Sequence, residues 1–322
     1  MPRTWKMMQI KEMAGLPVPG TQTLAQPGPG QVQVRLHAAA LNFADLLMTT
    51  GQYQDTPALP FIPGLEGAGE MLAAGAGVDL APGSRVAVQA QGTLTEANLF
   101  PADACYPIPD AMSYPEAAGF LIAYGTSHFG LVRRAELRAG ETLAVLGAAG
   151  GVGLTAVEIG AALGARVIAV ARGADKLEVA RAAGAAEVID SDTCPDLRAA
   201  LRDLGGVDVV YDPVGDAPGE AAFGALRAGG RFLLIGFAGG KPPALPLNHA
   251  LVKNIAIHGF YWGAYRKLDP ALLREDIAAL FSLYEQGRLH PHVGATVSLD
   301  TLSEGYALLK SRRATGKVIV SL

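Results

Sequence analysis

Between residues 142 and 260 one pattern repeats, an apolar strand followed by a helix: TLAVLG then GVGLTAVEIGAALG, RVIAVA then ADKLEVARAAG, EVID then CPDLRAALRDLG, DVVYD then GEAAFGALRAG, RFLLIGF, and finally IAIHGFYWG. Strands with no polar face, joined by helices, require a parallel sheet covered on both sides. The expected fold is a doubly wound Rossmann domain. Its first turn, LGAAGGVG (146–153), is nearly bare of side chains, follows a strand and opens a helix, the context that a dinucleotide fingerprint demands. Read as A-x-G-x-x-G, it sets Ala148 at the turn, Gly150 where backbone meets a pyrophosphate, and Gly153 where helix and strand pack closely. The amides of Gly151 and Val152, at the helix N-terminus, then face the phosphates.

NAD and NADP are told apart at the end of the second strand, where a carboxylate would hold a ribose 2′-hydroxyl. This strand ends VIAVARGADK, with Ala171 and Arg172 where an acid would stand, Asp175 beyond them, and Lys176 one helical turn on. A guanidinium grips a 2′-phosphate through paired hydrogen bonds, so NADP(H) is the expected cofactor.

The first hundred residues read differently, as short strands (KMMQI, QVQVRLHAAALN, EGAGEMLAAG, SRVAVQA) cut by turns (PVPG, QPGPG, GLEG, APGS). That spacing predicts a compact β-barrel. Longer apolar helices begin with PEAAGFLIAYGTSHFGLVRR, and the tail (a helix at 270–287, HVGATVSL, TLSEGYALLKS, KVIVSL) is too short to stand alone. The expected organisation is therefore one domain from 1–121 and 262–322, with a nucleotide-binding domain, 122–261, inserted into it.

Half of the residues are hydrophobic, 17% are charged and the formal charge is −4. No run of Lys or Arg is long enough to track a nucleic-acid backbone. No segment has about 18 uninterrupted apolar residues, and MPRTWKMMQIKEM lacks the apolar core of a cleaved leader, so a soluble cytoplasmic protein is expected. Cys105 and Cys194 each stand alone and the histidines are scattered, His290 and His292 being the closest pair, which gives no metal-ligand spacing.

The motifs LNFADLLMTTGQY (41–53), LPFIPGLEGAGE (59–70), AYGTS (123–127), LGAAGGVG and GKVIV (316–320) resemble the zinc-free quinone oxidoreductase branch of the medium-chain dehydrogenase/reductase superfamily, to which zeta-crystallin belongs. The resemblance spans essentially the whole chain. It implies a GroES-like β-barrel catalytic domain beside the Rossmann domain, and a homodimer. Zinc-dependent alcohol dehydrogenases of the superfamily carry ligands at the places of Asn42, Leu65 and near Ile122, and a four-cysteine lobe between about 90 and 112 where this chain has only Cys105. No metal is expected, and without a Lewis acid the chemistry expected is hydride transfer to an acceptor that spreads the charge itself.

The resemblance further implies that the nicotinamide lies in the cleft between the domains, with Asn42 and Thr126 near it. The backbone of Phe260 and Tyr261 would border the carboxamide, Gly236 and Phe237 would edge the cofactor, and Lys317 would reach towards it. Where the family often has a Tyr near the adenosine phosphate, this chain has Ser191. Tyr53 either bonds the acceptor oxygen or stacks on a quinone ring, or else packs on a barrel loop. Asn42 either donates an amide hydrogen bond or caps its own turn. Asp45 holds its local loop, its catalytic role being the weaker reading. Trp262 and Tyr265 of GFYWGAY either wall the acceptor site or pack, and strand 255–260, at the sheet edge, would pair with a second copy. The first functional reading is NADPH-dependent quinone reduction. Its rivals are reduction of an enone or enoyl-thioester double bond, and a non-catalytic, crystallin-like nucleotide-binding protein.

Overall fold

The computed structural model describes residues Arg3–Leu322. Packing divides the chain into two compact units, one running to Ile122 and resumed at Pro291–Leu322, the other Ala123–His290. The crossover out falls one residue from the expected place. The return does not: it lies at 290/291 rather than at 261/262. The physical reason is the helix Pro270–Glu285, which stays with the nucleotide unit through a buried His128–Asp276 contact (2.7 Å) and an Arg133–Glu275 ion pair. Just beyond it the His290 amide donates to Glu158.

The nucleotide unit is built on a six-stranded parallel sheet in the order Glu187–Asp190, Arg166–Ala171, Thr142–Leu146, Val207–Asp212, Leu226–Leu234, Ala256–Gly259. Numbered along the unit this is 3-2-1-4-5-6, the dinucleotide-binding order, with its topological switch beside the first strand. Thr142–Leu146 is buried at every position, as a strand covered on both faces must be. One core cluster gathers Leu146, Ile168, Phe223 and Phe232. The last two rings meet edge-on at 5.6 Å, and burial of each contributes about 1.5–3 kcal/mol.

The other unit holds a seven-stranded sheet, ordered Val293–Ser298, Lys317–Ser321, Gln31–Leu41, Glu66–Ala74, Arg85–Val88, Cys105–Pro107, with Ala97–Pro101 also pairing with Gln31–Leu41. The tail strand Lys317–Ser321 runs antiparallel to Gln31–Leu41, placing Val318 against Leu41. Its helix Leu302–Lys310 buries Leu302 and Tyr306 on that strand pair. A further strand, Val18–Thr23, pairs with Thr4–Gln9 where PVPG reads as a turn; Pro19 is tolerated because a two-stranded ribbon leaves one side of each strand unbonded. The apolar stretch at 115–134 is likewise broken into Tyr114–Ala118, Leu121–His128 and a π-helical turn, Phe129–Arg134.

Candidate functional site

In the strand-rich unit the polar centre is a closed group of three side chains, Asn42, Glu66 and Lys317. The helix Phe43–Thr49 begins with Asn42 as its N-cap, and the Asp45 carboxylate accepts from the Asn42 backbone amide at 2.7 Å, the reciprocal half of a capping box. The Asn42 side chain faces two buried charges. Its Nδ2 donates to Glu66 Oε1 at 3.0 Å, and its Oδ1 accepts from Lys317 Nζ at 2.7 Å. Lys317 also donates to Glu66 Oε1 (2.7 Å) and to the Leu41 carbonyl (3.2 Å), which uses all three of its hydrogens. Glu66 Oε2 accepts from the Ile122 amide at 2.9 Å.

Three elements bring these groups together: Glu66 opens one strand, Lys317 opens another, and Asn42 follows directly on the strand between them. Gly119 leaves room for the lysine stem, since a Cβ there would stand 3.0 Å from Lys317 Cγ. An Asn amide turned through 180° would set its NH2 on the ammonium and its oxygen on the carboxylate. Two charge-assisted bonds, each worth about 1.5–3 kcal/mol, would become repulsions, so one orientation survives. Deleting either charge alone strands the other in the interior, at about 3–5 kcal/mol.

Asp45 and Tyr306 sit against this group. Burial pushes the Asp45 carboxyl up to about 7; the Asn42 amide and the Lys317 charge hold it down, and the Glu66 charge pushes it further. Burial raises the Tyr306 phenol, with the Asp45 charge adding to it. The Gly64 amide also holds the Asp45 carboxyl down, and the Tyr306 hydroxyl is buried without a hydrogen-bond partner.

In the nucleotide unit, the fingerprint lies between the strand Thr142–Leu146 and the helix Gly151–Ala162. The left-handed turn residue is Gly147 (φ 58°), not Ala148 as the sequence pattern suggests. Ala148 is fully buried, its amide donating to the Val170 carbonyl, because the turn closes one residue earlier. Gly150 is the N-cap, so Gly151 and Val152 open the helix with amides free of intrahelical acceptors. A methyl group at Gly153 would strike the Gly147 carbonyl, while one at Gly150 would meet only ordinary contact, 3.4 Å from that oxygen.

At the end of the second strand Arg172 is exposed and Lys176 half-buried. The Lys176 ammonium is held below the usual lysine range chiefly by burial, then by the Arg172 charge, against the pull of Asp192. Two cations this close to one another suit a doubly charged phosphate. Asp190, on the adjacent strand, spends Oδ1 on the Gly173 and Asp192 amides, which hold its carboxyl below the usual range. Ser191 is beside it, bonded to the Ala171 carbonyl. Gly236 and Phe237 follow the fifth strand next to Pro213 and Val214, with Phe237 43% exposed. The residues present thus fit a nicotinamide dinucleotide phosphate.

Asn42, Asp45 and Lys317 come together, and Lys317 turns to Asn42 and Glu66. Tyr53 packs with Leu65 on Ile10, Met48 and Phe61. Trp262 is buried against Gly125, where a Cβ would strike its ring, and Tyr265 packs on Phe129 at 4.3 Å. Both make packing contacts within their unit. Phe260 also lies by Phe129 (6.0 Å), whereas Tyr261 is exposed. Thr126 is half-buried beside Ser127, whose hydroxyl bonds Thr155 (2.7 Å) and Tyr211 (2.9 Å) and fixes that helix to the fingerprint helix. Glu66 is the residue that the sequence pattern does not single out.

A GroES-like unit joined to a six-stranded nucleotide sheet is the make-up of the medium-chain dehydrogenases/reductases, and oxidoreductase is the class that this fold defines. Residues 28–111 match the alcohol dehydrogenase GroES-like domain family, and residues 151–284 the family described as zinc-binding dehydrogenase. A quinone oxidoreductase-like protein 2 homolog of Nematostella vectensis is 37% identical over 91% of this chain and 82% of its own length. The quinone oxidoreductase of Thermus thermophilus, solved also in complex with NADPH, superposes with a TM-score of 0.84 at 32% identity, over 98% of this chain and 100% of that one. The Escherichia coli quinone oxidoreductase, solved with NADPH, gives a TM-score of 0.88 at 27% identity over 98% and 100%. The chain belongs to the zinc-free quinone oxidoreductase branch of the medium-chain dehydrogenase/reductase superfamily.

Proposed function

We propose that this protein is an NADPH:quinone oxidoreductase. The observation that carries the reading is the Asn42 amide, clamped by a buried ion pair where zinc-dependent members of the superfamily place a metal ligand. The Gly151 and Val152 amides hold the pyrophosphate, and Arg172 with Lys176 holds the 2′-phosphate. When bound, the nicotinamide supplies a hydride. Asn42 donates a hydrogen bond to the acceptor oxygen as charge gathers there, an electrostatic contribution of the oxyanion kind. The quinone takes up the hydride and one proton from water, leaving as hydroquinone. Thr126, Gly236, Phe237, Phe260 and Tyr261 border the cofactor in this reading, and Ser191 lies by its adenosine.

The protein acts as a homodimer. Strand Ala256–Gly259 is one of the two edges of the nucleotide sheet, and the preceding helix Leu247–Lys253 buries none of its residues, leaving Leu247, Leu251 and Val252 68–79% exposed. Covering both in a second copy removes an unpaired edge and an apolar patch together.

The test is loss of reduced-nicotinamide absorbance with NADPH and NADH in parallel, against a quinone panel and a 2-alkenal. Quinone turnover with NADPH preferred is expected. Reduction of the alkenal alone would give the site to carbon–carbon double bonds, and binding of NADPH with no turnover would favour a non-catalytic role. In the Arg172→Ala/Lys176→Ala variant the KM for NADPH should rise roughly 10–100-fold, the loss of one or two charge-assisted bonds, with NADH little changed.

A further inference from the structure

The polar centre contains more charge than a helix cap needs. The capping box is closed between Asn42 and Asp45 and uses neither Glu66 nor Lys317. Glu66 and Lys317, 251 residues apart in sequence and both buried, instead converge on the Asn42 side chain from opposite ends of its amide. Every other polar atom of the pair is engaged: Glu66 Oε2 by the Ile122 amide, and the remaining lysine hydrogens by Glu66 Oε1 and the Leu41 carbonyl. Asn42, the half-exposed member, keeps one Nδ2 hydrogen beyond these bonds. Its oxygen is already held by a cation, which weakens it as an acceptor for anything else.

We infer that the Glu66–Lys317 pair is an orientation lock that presents Asn42 to substrate as a hydrogen-bond donor, so that the site selects acceptors carrying an oxygen lone pair, that is, carbonyl compounds. Lys317 and Glu66 are thus positioning residues; they act through Asn42 rather than on the cofactor. The selection of carbonyl acceptors rests on the reading of function above, whereas the lock itself does not. A hydroxyl-bearing reductant could also accept from this amide, but only a carbonyl oxygen gains negative charge as hydride arrives, so the donor strengthens its bond during the reaction.

The test uses deuterated, 15N-labelled protein, with the Asn42 side-chain amide assigned by its disappearance in Asn42→Ala. Because one buried charge left alone is destabilising, the informative variant removes both charges and the acceptor, Glu66→Leu/Lys317→Met; Lys317→Arg keeps a cation and its donors. In the wild type the Asn42 Nδ2 protons should be shifted from free-amide positions and exchange slowly. In the double variant they should return to those positions and exchange at least about tenfold faster, the equivalent of one lost hydrogen bond of about 1.4 kcal/mol. Its kcat/KM for quinone should fall about tenfold or more with the Kd for NADPH unchanged, while Lys317→Arg loses less than the double variant on both readouts. Amide signals that do not move in the double variant overturn the lock, as does a loss confined to NADPH affinity, which would make Lys317 a cofactor ligand. If the wild type reduces no carbonyl acceptor, the functional reading fails, and the amide signals still decide the lock.

Discussion

A carboxyl with a pKa of about 7 inside a protein makes folding depend on pH in an unusual direction. Asp45 titrates near 4 in an unfolded chain, so the folded state binds the extra proton between about pH 4 and pH 7, and stability falls as pH rises through that window. Above it the buried charge persists, eased by the Asn42 amide and Lys317 and opposed by Glu66. Asp45→Asn keeps an oxygen for the Asn42 amide and cannot ionise. Relative to the wild type it should gain roughly 2–3 kcal/mol between pH 5 and pH 8, measurable by urea unfolding at the two pH values; a difference that does not change with pH would show that Asp45 is not ionising there. At this scale Asn42 was named by the resemblance, with capping of its own turn as the other reading, and Asp45 was read as holding its local loop, which the bond to the Asn42 amide matches. Lys317 was named by the resemblance, but as a residue reaching towards the cofactor, and Glu66 was not named; each is one charge opening an apolar strand and nothing local shows that the two meet.

At the scale of elements, period and punctuation carried most of the fold. Strands without a polar face announced the parallel sheet, whereas the order of the six is seen only in the structure. Misreadings fell where a residue's usual habit was overruled by its neighbours: Pro19 inside a paired strand, Gly147 rather than Ala148 at the turn, and a helix broken at Gly119. Gly153 illustrates how little slack remains. Gly153→Ala would press a methyl onto the Gly147 carbonyl and push helix from strand, so it should cost about 1–3 kcal/mol of stability and weaken NADPH binding. Gly150→Ala, with room for its methyl, should lose less stability, a contrast that thermal unfolding of the two variants reads directly.

At the scale of the whole molecule, the insertion of one unit into the other was visible as a change of pattern, but its end was not. The helix Pro270–Glu285 is amphipathic and fits either unit by sequence; the buried Asp276, answering His128, decides it. The assembly can be tested on the same scale. Leu251→Asp/Val252→Asp places charges at positions 79% and 73% exposed, so the fold should survive while the sedimenting species shifts from dimer to monomer; a wild type that sediments as a monomer would remove the edge-strand dimer.

The hydrogen bond from Ile122 to Glu66 sets a rule for recombining this family. Ile122 is the last residue of its unit, and its amide secures the carboxylate that also holds Asn42. A chimera that borrows another member's nucleotide unit should therefore be spliced after residue 122 and rejoined before 291. A graft begun a few residues earlier would import a foreign backbone beneath Glu66, and its activity would report the quality of the seam rather than the specificity of the donor.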